Sequence, residues 1–171
     1  MTRRPFLVDV VSLRRHPGFR EHLVTHGVLQ GMAITEAAVP DGAPVAVDLV
    51  LEAVEGGVVV KGNVTAPWVG ECRRCLTAVA GEVVAEIEEI FVPDPEEGQT
   101  WPIEHNQLDL EPVVREAVVL ELPLAPLCRP DCLGLCPTCG ADLNAGPCAC
   151  DGEGGDPRWA VLDVLRREPP G

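Results

Sequence analysis

The sequence contains 171 residues, carries a net charge of -14 from 27 acidic and 13 basic side chains, and lacks tyrosine. Its length fits one domain of ordinary size with a small appendage. Because a strongly acidic chain repels polyanions, the charge argues against a non-specific nucleic-acid binder. No apolar run approaches the roughly 20 residues needed to span a bilayer, which argues against a membrane protein.

The amino-terminal region is basic within this acidic chain. The apolar, β-branched segment PFLVDVVSL predicts a short strand that ends at His16-Pro17-Gly18. The region lacks the long apolar core and cleavage site of a signal peptide, so we expect a cytoplasmic protein. Its arginines form either a solvated basic face or a contact for RNA or protein; they are Arg3, Arg4, Arg14, Arg15 and Arg20.

Alternating apolar and polar residues predict antiparallel strands in the middle of the chain. PVAVDLVLEAV places Val45, Val47, Leu49 and Leu51 on one face, and Gly56-Gly57 turns the chain into VVVKGNVTA. LTAVAGEVVAEIEEIFV predicts a third long strand with its acidic face in water. The next segment, PDPEEGQTWPIEHNQ, is rich in Pro, Gly and acid and predicts a surface loop or a disordered insertion.

Helices are predicted after these strands. DLEPVVREAVVLELP predicts a helix near residues 110–122, because Asp109 can cap it, Pro112 is tolerated in its first turn and Pro123 ends it. DPRWAVLDVLRRE predicts a C-terminal helix capped by Asp156. The buried stripe predicted for the first helix consists of Val113, Val114, Ala117, Val118 and Leu122. We therefore predict an α+β fold. An antiparallel sheet or partial barrel occupies residues 1–127, and a cysteine-rich, zinc-ribbon-like segment with a helix occupies residues 128–171.

Eight cysteines occur in short pairs: Cys72, Cys75, Cys128, Cys132, Cys136, Cys139, Cys148 and Cys150. In a reducing compartment such pairs indicate metal ligands rather than disulfides. Zinc bound by thiolates is tetrahedral, and structural sites usually combine two close pairs. CPTCG and the following C-x-C pair make one plausible site. CRRC at residues 72–75 and CRPDC at residues 128–132 make a second if the helix packs back on the sheet, so we predict two structural zinc ions.

The spacing leaves alternatives open. Cys128, Cys132, Cys136 and Cys139 also form a compact set for one ion, and a single zinc with spare thiols is compatible with the sequence. An iron–sulfur cluster is chemically possible, although nothing else indicates electron transfer. A thioredoxin-like redox pair is disfavoured because neither CxxC opens a helix within a βαβ unit. Both predicted quartets are closed and all-cysteine, which favours structural over catalytic zinc.

Catalytic motifs are not evident in the sequence. It contains no GxSxG, HExxH, P-loop or GxGxxG pattern in a suitable context. His16, His22, His26 and His105 lie in predicted polar, loop-like surroundings without an evident Ser or Cys partner. We therefore predict a protein that is not an enzyme, with a zinc-dependent nucleic-acid enzyme or a thiol redox protein as the alternative.

The combination of alternating strands, CRRCL, DLEPVVREAVVLELPLAPLCRPDCLGLCPTCGADLN and the terminal DPRWAVLDVL resembles the YceD family. The resemblance implies a role in making or stabilising 23S ribosomal RNA, and hence in assembly of the large ribosomal subunit. Some family members look to keep the pairs matching CRRC and Cys128/Cys132 while lacking CPTCG and C-x-C. This implies that the second site is an optional addition. The resemblance supplies no catalytic residues.

The acidic charge constrains how such a protein reaches ribosomal RNA. It could contact RNA or its precursors through a restricted patch, such as the amino-terminal arginines together with Arg73 and Arg74 on the CRRC segment. Alternatively, it could act through a basic ribosomal protein, with its own acidic faces as the counterpart. Electrostatics slightly favour the second mechanism.

Overall fold

The computed structural model describes residues 4–150, so Arg3 and the helix predicted after Asp156 lie outside the described residues. The strands are β1 (Leu7–Asp9), β2 (Arg20–Val28), β3 (Ala37–Ala38), β4 (Pro44–Val54), β5 (Gly57–Glu71), β6 (Ala78–Val92), β7 (Trp101–Glu104) and β8 (Gln107–Asp109). A short 3₁₀ helix spans Leu13–Arg15, and the helix α1 spans Glu111–Glu121.

The strands β4, β5 and β6 form the centre of an antiparallel sheet, as their alternation predicts. β5 and β6 are 15 residues long and pair along most of their length, from Val58↔Phe91 to Glu71↔Ala78. The inward side chains of β4 are buried and its outward ones are largely exposed, which confirms the predicted faces. Along β6, the acidic side chains of Glu82, Glu86 and Glu88 are exposed to water.

The sheet curls into a half-barrel with strand order β1-β8-β7-β6-β5-β4-β2, and β3 pairs with β5. Its two ends approach each other. A Cβ atom on Gly27 in β2 would lie only 2.3 Å from the side chain of Pro5, just before β1. The α+β prediction with a partial barrel is therefore confirmed.

Helix α1 packs on this sheet through the predicted stripe. Val113, Val114, Val118 and Leu122 are buried in the hydrophobic core, and Ala117 is half-buried against it. The structure places the helix start one residue later than the sequence predicts, since Leu110 is the N-cap. The Asp109 carboxylate accepts a hydrogen bond from the Glu111 N–H at 3.0 Å.

Two predictions are wrong in detail. The segment after β6 does not stay irregular, because Trp101–Glu104 and Gln107–Asp109 form a hairpin that pairs with β6 and β1. These strands are too short to show alternation. His22 and His26 lie on β2 rather than in a loop. The alternation of this edge strand is masked because its outward residues include both polar side chains and Val24.

The chain divides into two compact units, Met1–Cys132 and Leu133–Gly171. The first contains the half-barrel, α1 and the following segment to Cys132. In the second, the described residues form turns around a bridge between Leu135 and Asp142. Within residues 4–150, no helix is long and apolar enough to cross a membrane.

Candidate metal centres

The first cysteine pair lies in the tight connection between β5 and β6. The Cys72 N–H donates to the Thr77 carbonyl at 2.8 Å, and the Leu76 N–H donates to the Cys72 carbonyl at 2.8 Å. To close this turn, Leu76 adopts a left-handed conformation with φ of 59°. We call this turn, residues 72–77, the first knuckle. It points the thiols of Cys72 and Cys75 to the same side of this end of the β5–β6 hairpin.

The segment after α1 brings the second pair to the first knuckle. The Arg73 N–H donates to the Pro126 carbonyl at 3.0 Å. The guanidinium of Arg74 donates to the carbonyl of Cys132 at 2.8 Å and to that of Pro130 at 3.4 Å. Arg74 therefore ties two stretches of chain that are nearly 60 residues apart in sequence.

The four sulfur atoms of the first quartet have the geometry of a metal site. The Sγ atoms of Cys72 and Cys132 are 3.8 Å apart, and those of Cys75 and Cys128 are 3.6 Å apart. All four lie within 4.8 Å of one another. A tetrahedral zinc ion with Zn–S distances of about 2.3 Å requires sulfurs about 3.8 Å apart, whereas a disulfide requires about 2.05 Å. The arrangement therefore fits a four-coordinate ion.

The electrostatics of the first quartet also favour a bound cation. The pKa of Cys72 is lowered to about 6, first by a hydrogen bond from the Cys128 N–H and then by those of Cys75 and Arg74. The Thr77 hydroxyl and N–H lower the pKa of Cys75. Desolvation and then the neighbouring thiols of Cys132 and Cys75 raise the pKa of Cys128 to about 12. All four thiols can ionise together only if a cation offsets their mutual repulsion.

The second quartet, Cys136, Cys139, Cys148 and Cys150, also has its four sulfurs within 4.8 Å of one another. Its turn, residues 136–141, is the second knuckle and repeats the hydrogen bonds of the first. The Cys136 N–H donates to the Ala141 carbonyl at 2.8 Å, and the Gly140 N–H donates to the Cys136 carbonyl at 2.9 Å. Gly140 takes the left-handed position, with φ of 72°.

Backbone N–H groups again shift a thiol pKa in this quartet. The N–H groups of Cys139 and then Thr138 lower the pKa of Cys136 to about 6. The thiol of Cys139 and then desolvation raise the pKa of Cys150 to about 12. The structure thus groups Cys136 and Cys139 with the C-x-C pair and not with Cys128 and Cys132, so each quartet could hold one metal ion.

Among the described residues, Arg14 lies apart from Arg73 and Arg74. Arg14 donates to the side chain of Asn106 at 2.8 Å, beside the β7–β8 hairpin. That hairpin follows the end of β6 at Val92, whereas Arg73 and Arg74 precede its start. The 15 residues of β6, which extend over on the order of 50 Å along the strand at about 3.3 Å per residue, separate the two groups. Arg4, Arg15 and Arg73 are exposed, while Arg74 is engaged in the first quartet.

The histidines show no nucleophile arrangement among the hydrogen bonds of residues 4–150. His22 Nε2 lies 2.5 Å from Asp48 Oδ1 on the exposed face of the sheet. His105 lines a cavity of about 450 Å³ together with Arg4 and Trp101. Sequence reasoning missed Leu76 and Thr77, which shape the first knuckle. A residue forced into a left-handed conformation carries no signal in the sequence unless it is Gly or Asn.

The pattern of a known family matches residues 60–166, which include both quartets and α1. Its description is large ribosomal RNA subunit accumulation protein YceD. The chain belongs to the YceD family. The name describes a role in ribosomal RNA accumulation, so this chain has a ribosome-related role in the broad sense. No solved structure matches it significantly.

Relatives of this YceD chain occur in bacteria and plants. Proteins of Mycobacterium tuberculosis and Mycobacterium bovis, both named only as uncharacterized, are 42% identical over 181 residues, covering 96% of this chain and 86% of each relative. An Arabidopsis thaliana protein is 33% identical over 75 residues, covering 44% of this chain and 23% of the relative. It is named large ribosomal RNA subunit accumulation protein YCED homolog 1, chloroplastic.

Proposed function

We propose that this protein promotes the synthesis, processing or stability of 23S ribosomal RNA during assembly of the large ribosomal subunit. The observation that carries the proposal is the YceD match over residues 60–166. These residues include most of the β5–β6 hairpin, α1 and both quartets. The plant relative, named for the same role, supports it. In this proposal the protein acts as a scaffold rather than an enzyme.

Two structural zinc ions belong to the proposal, one in each quartet. Four thiolates at tetrahedral spacing complete the coordination of zinc and leave no position for a catalytic water. The ligands would be Cys72, Cys75, Cys128 and Cys132 in the first site, and the four cysteines of the second quartet in the other. Thiols kept as metal ligands require a reducing compartment, so the proposed place of action is the cytoplasm.

The route to RNA is proposed to be a basic ribosomal protein. The net charge of -14 repels a polyanion at long range. Arg14 lies beyond one end of β6 and Arg73 and Arg74 precede the other, which does not favour a single basic surface. Acidic side chains on the outer face of β6 offer a counterpart to cationic side chains. Direct contact with RNA through Arg73 or the amino-terminal arginines is the second route.

Depletion of the protein tests the function. We expect 23S RNA to fall relative to 16S RNA, incomplete large subunits to accumulate, and the protein to co-sediment with their precursors. Re-expression of the wild-type chain restores the ratio, and re-expression of a Cys72→Ser, Cys132→Ser chain serves as the matched control that does not. An unchanged 23S level and subunit profile after depletion would refute the proposal.

Metal analysis separates the scaffold from the other functional classes. A scaffold holds about two zinc ions per chain with thiols that react slowly, as expected of closed sites. A thiol redox protein would contain no metal and a reversibly oxidised pair. An enzyme would lose turnover, not only stability, when the metal is removed.

A further inference from the structure

The outward side chains of β2, β4, β5 and β6 form one continuous surface. These four strands lie side by side in the sheet, and each neighbouring pair is antiparallel. Residues directly opposite each other in antiparallel strands share a face, so the register sets rows of outward residues across all four strands. One such row consists of Val24, Asp48, Asn63 and Glu86. We call the outward residues of these strands, in register with this row, the four-strand face.

Both cationic side chains of the four-strand face have partners within it. The guanidinium of Arg20 on β2 pairs with the Glu52 carboxylate on β4 at 3.0 Å. The ammonium of Lys61 on β5 pairs with the Glu88 carboxylate on β6 at 2.7 Å. These ion pairs join neighbouring strands and leave neither cation free to attract an anion.

The four-strand face as a whole is negative. It contains two cations, Arg20 and Lys61, and six carboxylates, which gives a formal charge of -4 with its histidines neutral. The carboxylates are those of Asp48, Glu52, Glu71, Glu82, Glu86 and Glu88. Three of them, Glu71, Glu82 and Glu86, have no ion-pair partner among residues 4–150. The face therefore has negative charge that the protein itself does not neutralise.

Charges in the turns at the ends of the four-strand face do not offset Glu86. Glu55 adds a carboxylate in the β4–β5 turn, and Arg73 and Arg74 follow β5 at the opposite end. Glu86 lies eight residues from the start of β6, which is roughly 26 Å at about 3.3 Å per residue. Exposed charges so far apart are largely screened at physiological salt, where the Debye length is about 8 Å.

The four-strand face also carries half of the exposed large apolar side chains. Twelve such side chains are exposed among residues 4–150, and six of them belong to this face. The six are Val24, Val28, Val50, Val69, Val84 and Ile90. Val84, at 58% exposure, lies between Glu82 and Glu86 on the same side of β6. Exposed apolar side chains gathered on one surface indicate a site of interaction.

A hollow of about 310 Å³ opens on the four-strand face across β2, β4 and β5. Val50 and Val59 give it an apolar lining, and the charged residues that complete it are Arg20, Glu52 and Lys61. All three charged groups are engaged in the ion pairs described above. The volume is at the lower end of the range for small-molecule pockets, so the hollow suits an apolar side chain of a partner.

We propose that the four-strand face is the docking site for a protein segment that is rich in Lys and Arg and also carries apolar side chains. Its cations would face Glu82 and Glu86, and its apolar side chains would cover Val84 and enter the hollow. The inference rests on the proposed function and names the surface that the basic ribosomal protein would contact.

Charge complementarity favours this occupant over the others. A face of formal charge -4 attracts a cationic segment and repels a polyanion such as RNA. A second copy of this chain would bring a net charge of -14 against the same face. Neither alternative neutralises the carboxylates that lack a partner.

The first test removes the unpaired charges of β6 without changing side-chain size. The full zinc-loaded chain is titrated with proteins extracted by salt from purified large subunits, separated and added one at a time. We expect at least one of them to bind the wild type. The double variant Glu82→Gln, Glu86→Gln should bind that protein about fivefold more weakly, as for the loss of two exposed charge pairs.

A matched control separates the four-strand face from net charge. Glu96→Gln, Glu97→Gln alters the net charge equally but lies in the exposed loop after β6, and it should leave the affinity unchanged. Val84→Ser tests the apolar contribution and should also weaken binding about fivefold. Because all of these side chains are exposed, none of the changes should lower the thermal midpoint, so that weaker binding reports the surface and not the fold.

Several outcomes would overturn the docking site. They are a wild type that binds none of the extracted proteins, unchanged binding by Glu82→Gln, Glu86→Gln, and equal weakening by the two double variants. If Glu82→Gln, Glu86→Gln bound 23S RNA more tightly than its matched control, with protein binding unchanged, RNA would be the occupant. Self-association in sedimentation that Val84→Ser abolishes would identify a second copy instead.

The docking site and the proposed function fail in different ways. If depletion leaves 23S RNA unchanged, the ribosomal function fails whatever these variants bind. If depletion lowers 23S RNA, but the Glu82→Gln, Glu86→Gln chain restores it and binds each large-subunit protein as the wild type does, only the docking site fails.

Discussion

The two cysteine quartets share a knuckle but not a setting. In the first, Cys72, Cys75 and Cys132 are buried and Cys128 is exposed. Hydrogen bonds from Arg73 and Arg74 join distant parts of the unit Met1–Cys132, which we call the main unit. In the second, Cys136 is buried, Cys139 is exposed, Cys148 and Cys150 are half-buried, and the ligands lie within 15 residues of chain. One local motif can therefore stabilise a whole domain or only its own segment, depending on how far apart its ligands lie in sequence.

Loss of one cysteine ligand should give the largest difference in stability between the two quartets. We expect Cys132→Ser to lower the free energy of unfolding of the main unit by more than about 3 kcal/mol, because it removes a buried ligand and most of the metal's contribution. Cys148→Ser is the matched control and should leave that unit's free energy of unfolding within about 0.5 kcal/mol of the wild type. Denaturant unfolding followed by far-UV circular dichroism of the sheet measures both. Equal losses would mean that the quartets are energetically one site.

Chelation should remove the two ions in sequence. We expect a zinc-binding dye in excess to take up one ion per chain from the second quartet, which has one buried ligand, before the ion of the first quartet, which has three. Because thiolates must be deprotonated to bind metal, both ions should leave faster as the pH falls. Stopped-flow absorbance checks this, with Cys148→Ser as the control that lacks the early phase. A single phase carrying two ions would contradict the difference in exposure.

Arg74 should matter to the first quartet without being a ligand. We expect Arg74→Ala to lower the stability of the main unit by about 1 kcal/mol, since its charged hydrogen bond to the Cys132 carbonyl is partly screened by water. Its neighbour provides the control: Arg73→Ala keeps the backbone bond to Pro126 and should be neutral. Thermal unfolding of the zinc-loaded proteins distinguishes them, and equal effects of the two changes would argue against this role for Arg74.

The smallest effect concerns the left-handed position. Leu76→Gly should raise the stability of the main unit by about 0.5 kcal/mol, because relief of a strain of about 1–2 kcal/mol exceeds the added entropy of glycine in the unfolded chain. The reciprocal change, Gly140→Leu, should weaken metal retention by the second quartet. Chemical unfolding and dye competition measure the two changes, and effects of the same sign would mean that the knuckles are not equivalent.

The sequence predicts the long strands and α1 well because their apolar residues recur at the period of the structure. The buried residues are those expected: Val45, Val47, Leu49 and Leu51 on β4, and Val113, Val114 and Val118 on α1. The hairpin of β7 and β8 was missed because four and three residues cannot show a period. Spacing alone left the grouping of the cysteines open. The fold decides this grouping, because α1 returns the chain to the turn between β5 and β6 and so brings Cys132 to Cys72. The roles of Leu76, Thr77 and Arg74 depend on the backbone conformation of the folded chain, which the residue types alone do not predict.

The separation of Cys72 from Cys132 by 60 residues also sets an order of events during translation. At about 5–20 residues per second, the ribosome makes the second half of this site roughly 3–12 s after the first. During that interval Cys72 and Cys75 are two nascent thiols without their partners, and closing so long a loop becomes favourable only once α1 has packed. The metal ion would therefore bind late in folding, and it would stabilise a half-barrel whose strands have already paired.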